Sequence, residues 1–191
     1  TIRVDYQAME NGLQVGFHIE EMAVRVESLL KSIGLVDNFA PIVYVIGHGA
    51  SSVNNPHYAA YDCGACSGRA GSVNARVISQ MANKPEVRAI LREKGIHIPE
   101  TTVFVGGLRD TTRDDVVFYD EQITYADYKI KHADHVKLFE KALDSNAKER
   151  SRRFESINTS AKASDIHEKI RTRSVSIFEP RPELNHATNA L

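Results

Sequence analysis

The chain has 191 residues, 42% of them hydrophobic and 26% charged, with a formal net charge of -1. That length predicts one domain with a real core, and the charge balance argues against nucleic acid as the main partner. No run of about 18 apolar residues is present to span a membrane, and the opening TIRVDYQAME lacks the charged and apolar regions of a signal peptide. Cys63 and Cys66 are too few and too close for a secreted disulfide framework, which points to a reducing, cytoplasmic compartment. The absence of an initiator Met and the ending NHATNAL are read as signs of an interior piece of a longer chain.

In chain order, apolar residues at Met22, Val26, Leu29, Leu30 and Ile33 predict an amphipathic helix over 17–33, ended by Gly34. Residues 40–46, APIVYVI, form an unbroken apolar run rich in β-branched residues and predict an interior strand with His48 just past its carboxyl end. Val73, Val77, Ile78 and Met81 share one helical face over about 72–81. Asn83 is placed to cap a further helix that has Pro85 in its first turn and stops at Gly95. Strands are predicted over 101–105 and 116–119, separated by the polar turn GGLRDTTRDD. The stretch 127–173 reads as a charged helical arm with a modest apolar stripe at Leu138, Phe139, Ala142 and Leu143. Its basic run KERSRR, 148–153, reads as a solvated helix face. Residues 174–191 read as an extended connection. The division is therefore 1–126, an α/β part, then 127–173 and 174–191, and the fold class is α/β with a mostly parallel sheet, flanking helices and a helical arm.

Chemistry concentrates in residues 44–71, YVIGHGASSVNNPHYAAYDCGACSGRAG, which hold both cysteines, two of eight histidines and five of eleven glycines. His48 lies between two glycines at the carboxyl edge of a predicted buried strand, where open α/β folds place ligands; a turn histidine bonded to a backbone carbonyl is the competing explanation. Cys-Gly-Ala-Cys cannot complete a zinc ribbon, because no other cysteine exists. A redox pair wants its first cysteine at a helix start, and the nearest predicted start falls several residues after Cys63. His48 and Cys63 together suit a borderline-soft cation such as Zn²⁺, with two ligands still to be found.

The run GHGASSVNNPHYAAYDCGACSGRAG, the preceding EEMAVRVESLLKSIGLVDNFAPIVYVIGHG and the later NARVISQMANKPEVRAILREKGIHIPETTVF, with FEPRPELNHATNAL near the end, resemble DabA, the peripheral subunit of a bacterial inorganic carbon accumulation system. The resemblance implies a β-carbonic-anhydrase-like fold and a zinc centre with two cysteines, a histidine and an aspartate as ligands, in which His48 and Cys63 match the second half. The first half, a Cys-x-Asp-x-Arg strand motif, is not in this chain. A second departure is Arg109, where relatives are expected to carry His. The implied activity is hydration of CO2 to bicarbonate in the whole protein, coupled through a cation-conducting DabB-like membrane partner and placed peripherally on the cytoplasmic face of the inner membrane; this chain alone is expected to be inactive. Two rivals stay open. One is a closed structural zinc module of His48, His57, Cys63 and Cys66, and the other is a non-enzymatic interaction domain. Arg69, Asn54 and Asn55 could line a site but are first of all turn residues.

Overall fold

The computed structural model describes residues 3–51, 53, 62–63, 66–119, 126–154 and 156–178. Among these the chain is mixed α/β. A short hairpin, β1 (Ala8–Glu10) and β2 (Leu13–Val15), turns on Asn11 and Gly12, both with positive φ, which is what a two-residue hairpin loop demands. Then follow α1 (Ile19–Ser32), β3 (Ile42–Gly49), α2 (Ser72–Asn83), α3 (Pro85–Glu93), β4 (Val103–Asp110), β5 (Asp115–Tyr119), α4 (Ala126–Ser151) and α5 (Ala163–Ser174).

The second sheet has the order β3-β4-β5. Val103 N donates to Pro41 O at 2.9 Å, and Thr111 N donates to Gly49 O at 2.8 Å. Each donor lies 62 positions beyond its acceptor at both ends, the constant offset of a parallel pair. β5 follows β4 after only four residues, too few for anything but a hairpin, so the described strands of this sheet make one parallel and one antiparallel pairing.

Contacts group the chain into two units that do not follow chain order: 1–45, 73–107 and 118–129 in the first, and 46–72, 108–117 and 130–191 in the second. The first unit holds the larger apolar core. Met22, Val26 and Leu30 of α1 meet Val87 and Leu91 of α3, with Ile96, Ile98 and Phe104 completing the cluster. Each such side chain contributes roughly 1.5–3 kcal/mol by leaving water. Helices α1 and α3 end alike. Leu35 N bonds Leu30 O and Ile96 N bonds Leu91 O, both at 2.9 Å, so Gly34 and Gly95 stop their helices as their placement predicted and deliver an apolar residue back to the core.

Several expectations are corrected. Asn83 ends α2, and Lys84 occupies the cap position of α3. The Asn83 amide instead pairs with the backbone of Phe104, accepting from its N at 2.9 Å and donating to its O at 2.8 Å. The polar turn GGLRDTTRDD shrinks to 111–114, because Gly106 to Asp110 stay in β4. Strand β3 runs on through His48 to Gly49, so the histidine lies inside the strand; pairing of Gly49 O with Thr111 N keeps the strand extended there. In the arm Leu138 is 62% exposed and Ala142 is exposed too, while the buried positions of α4 are His132, Ala147, Arg150 and Ser151.

The first unit also buries a cation. Arg88, 8% exposed, donates to Ala82 O at 2.8 Å, Pro99 O at 2.9 Å, Thr102 O at 2.7 Å and Asn83 Oδ1 at 3.1 Å. Burial pulls its pKa below the ordinary value, with the Glu100 charge opposing. The guanidinium thus satisfies carbonyls of the α2 terminus and of the 99–102 segment that leads into β4. Arg88→Met strands these acceptors, and urea unfolding is expected to show a loss of about 3 kcal/mol. Arg88→Lys should recover little of it, because an ammonium cannot reproduce the planar fork. A loss below about 1 kcal/mol for the Met variant would refute this role.

Candidate functional site

Gly47 and Gly71 answer a packing need. A Cβ on Gly47 would stand 2.4 Å from both the carbonyl carbon and oxygen of Gly71, so two backbones touch where no side chain fits. Gly71 N then donates to His48 O at 2.8 Å. The cysteine loop is tied back on itself: Cys63 N bonds Arg69 O at 3.2 Å, and Cys63 O accepts from Cys66 N and Gly68 N, each at 3.0 Å. Asp62 Oδ1 accepts the Ala50 N–H at 2.9 Å. The backbone around Cys63 is thereby linked to the strand end that carries His48. Neither Cys63 nor Cys66 is in a disulfide, and both are of intermediate exposure.

The hairpin 110–115 is held from several sides. Asp110 Oδ1 accepts from Thr112 N at 2.9 Å and Ser51 N at 3.2 Å, while its Oδ2 accepts the Ser51 hydroxyl. Asp114, fully buried with φ 57, accepts from Asn146 Nδ2 at 2.8 Å and Arg109 Nη2 at 3.2 Å. Arg150, 4% exposed, donates to Thr111 O at 2.9 Å and Thr112 O at 2.7 Å. Its Nη2 also stands 3.0 Å from Asp114 Oδ2, an ion pair. The basic run 148–153 is therefore not uniformly solvated: Arg152 and Arg153 are exposed, but Arg150 is a buried anchor.

His167, 1% exposed, sets Nδ1 2.7 Å from Asp144 Oδ1 and Nε2 2.8 Å from Arg113 O. A carbonyl oxygen only accepts, so Nε2 donates. Arg171 Nε and Arg113 Nε both donate to Asp115, at 2.8 Å and 2.7 Å. Burial raises the Asp115 pKa, but the bonds from Arg113 and Arg171 outweigh it and hold the carboxyl below its ordinary value of 3.8. Sequence reading missed Asp62, Asp110, Asp114, Arg150 and His167. The density of Asp and Thr in RDTTRDD was the available signal.

A cavity of about 510 Å³ opens at this end of the second unit, lined among others by Gly49, Ala50, Ser51, Asp62, Asp110 and Arg113. It borders the residues next to His48 and Cys63 in sequence. Imidazole and thiolate suit zinc. Among the described residues no group of three or more His, Cys, Asp or Glu side chains could hold an ion. His57, Asn54 and Asn55 lie outside the described residues.

A family model described as "Probable inorganic carbon transporter subunit DabA" matches residues 2–191. The chain belongs to the DabA family. A DabA protein of Azotobacter vinelandii is 64% identical over 95% of this chain, and one of Nitrosospira multiformis is 63% identical over 95%. A second-copy DabA of Sorangium cellulosum is 45% identical over 92%. Each carries the printed name of probable inorganic carbon transporter subunit. The chain covers 22% of the Azotobacter protein and 20% of the Nitrosospira protein, about a fifth of their length. No solved structure matches. Among the described residues of this DabA chain, no helix is long and apolar enough to cross a membrane.

Two outcomes follow from the geometry. Gly47→Ala drives a methyl into the Gly71 carbonyl, and thermal unfolding is expected to show a loss of about 3 kcal/mol or no folded protein; a stability within about 0.5 kcal/mol of the parent would refute the contact. For Asp115 the sign is that of a depressed carboxylate. Its contribution is complete above the ordinary value of 3.8 and disappears as pH falls through the lower folded value. Asp115→Asn should therefore be less stable than the parent at neutral pH and converge with it in strong acid, measured by denaturant unfolding from pH 7 to pH 2; parallel curves would refute it.

Proposed function

We propose that this chain is part of the zinc-binding subunit of an inorganic carbon uptake system, and that it carries the His48/Cys63 half of a β-carbonic-anhydrase-like centre. The observation that supports this reading is that Gly71 and Asp62, on either side of the Cys63 turn, bond to His48 and Ala50 at one strand end, in a chain of the DabA family. The parallel pair β3 and β4 would then belong to a larger, mostly parallel sheet. Zinc, when bound, would supply the Lewis acidity that makes water a nucleophile toward CO2 at neutral pH.

This chain's own residues do the holding. His48 and Cys63 would present nitrogen and sulfur from a rigid strand and a closed turn. The 510 Å³ cavity gives a small neutral molecule or its anion room beside them, with Arg113 as the cationic group in its wall. The remaining cysteine, aspartate and arginine would come from other parts of the longer protein, and a DabB-like membrane subunit would supply the coupling on the cytoplasmic side of the inner membrane.

The test has two parts. Full-length protein should bind one zinc per chain and lose it in His48→Ala and in Cys63→Ser, measured by elemental analysis after dialysis. The 191-residue chain alone should hydrate CO2 no faster than buffer in a stopped-flow indicator assay, because a catalytic zinc needs about three protein ligands. Activity of the chain alone that vanishes in His48→Ala would show a complete site here, and full zinc retention in both variants would remove the proposed ligands.

A further inference from the structure

We infer that Asp62 is a positioning residue that sets the distance between Cys63 and His48 before any metal arrives. The inference rests on the proposed half-centre and adds a residue to it. Asp62 immediately precedes the cysteine, and its Oδ1 accepts the N–H of Ala50, two positions after the histidine, at 2.9 Å. Glycine at position 49 eases the fit of that carboxylate. A Cβ there would stand 3.2 Å from Asp62 Oδ1, tighter than an ordinary contact, with Ala70 and Leu108 equally close on its other sides.

The rest of the turn makes this bond the connection that decides the spacing. Cys63 uses its own N–H on Arg69 and its own carbonyl on Cys66 and Gly68, so its backbone has no freedom left inside the loop. The loop as a body is attached to the His48 strand through Gly71 on its far side and through Asp62 on its near side. Two attachments leave the loop only rotation about the line joining them, where one leaves it free to swing in every direction. Without Asp62 the cysteine end can swing about Gly71, and a thiolate that wanders by an ångström loses much of the geometric advantage of a preformed site. The role is that of an acceptor at a fixed reach, so the oxygen's position matters and the negative charge does not.

That distinction gives the experiment. In full-length protein, zinc affinity is measured by competition with a chromogenic chelator, and exchange of the Ala50 amide is followed by hydrogen–deuterium exchange. Asp62→Asn keeps an acceptor oxygen at the same reach and should bind zinc within about twofold of the parent, with Ala50 still protected. Asp62→Ala should weaken zinc by about tenfold, the lower end of the usual loss when a group that orients a ligand is removed, and expose Ala50 to exchange. Asp62→Glu retains the charge but moves the oxygen by one methylene, and should weaken zinc as the Ala variant does. If Asp62→Ala does not fold, the Asn and Glu pair decides alone. Glu matching the parent while Asn fails would overturn the inference in favour of a role for charge, and parent-like affinity in Asp62→Ala or in both Asn and Glu would overturn it outright. The wider reading is judged separately by His48→Ala and Cys63→Ser: if these keep zinc, the half-centre itself is wrong whatever Asp62 does.

Discussion

Everything at the candidate site depends on one steric fact, the touching of two backbones at Gly47 and Gly71. Chain segments can approach this closely only where neither carries a side chain, and a Cβ on Gly47 would overlap the Gly71 carbonyl at 2.4 Å. The contact returns the loop to the strand it left. From it follow the bond between Gly71 N and His48 O, the closed turn from Cys63 to Arg69, and the reach of Asp62 to Ala50. Hydrogen bonds of this kind add roughly 1 kcal/mol each, so no single one could hold the arrangement against a misplaced methyl. Sterics sets the geometry and the hydrogen bonds then make it unique.

The second unit achieves order in a different way from the first. Its apolar cluster is small, consisting of Ala147, Ile157, Ile166 and Ile170 with Phe154 and Ala161 against it. What replaces area is a set of buried charges on the hairpin 110–115. One carboxylate, Asp114, faces two guanidinium groups, so the pairing alone leaves positive charge in excess. Carbonyls of Thr111 and Thr112 offset it by accepting from Arg150. Such a network adds little stability relative to apolar packing, but it accepts only one register of hairpin against helix. That suits a hairpin whose Asp110 and Arg113 line the cavity.

This difference explains what could be read from sequence. In the first unit α1 was legible from the spacing of Met22, Val26 and Leu30, because hydrophobic periodicity records burial in an apolar core, although Ile33 and Val73, placed by the same pattern on the α1 and α2 faces, are exposed; α3 was legible from Pro85 and Gly95. The β1–β2 hairpin was announced by Asn11-Gly12 and passed over, its strands being only three residues long. In the second unit the same logic misleads. Leu138 suggested a buried stripe and is exposed, while Arg150 sat in a run of charges that looks solvated and is buried. Periodicity tracks apolar atoms. It cannot register a face that is buried by ion pairs and carbonyls, nor a strand such as β4 that continues through Gly106 and Gly107 because its partner strand extends alongside.

The candidate ligands were legible for yet another reason, their chemistry, but their geometry was not. The sequence pattern places His48 just past a strand, with the loop bringing Cys63 back near it. The structure adds that His48 lies within the strand and that the Cys63 backbone is fully engaged. For a metal centre of the proposed kind this changes where ordering takes place. A loop that folds on its ion lowers the apparent affinity by the free energy of ordering, whereas a turn already closed by its own amides leaves the donors' number and type to govern binding. With two donors from this chain, affinity would rise mainly with the arrival of the other two. The half-centre would then act as a fixed receiving face, onto which the longer protein brings the ligands that complete it.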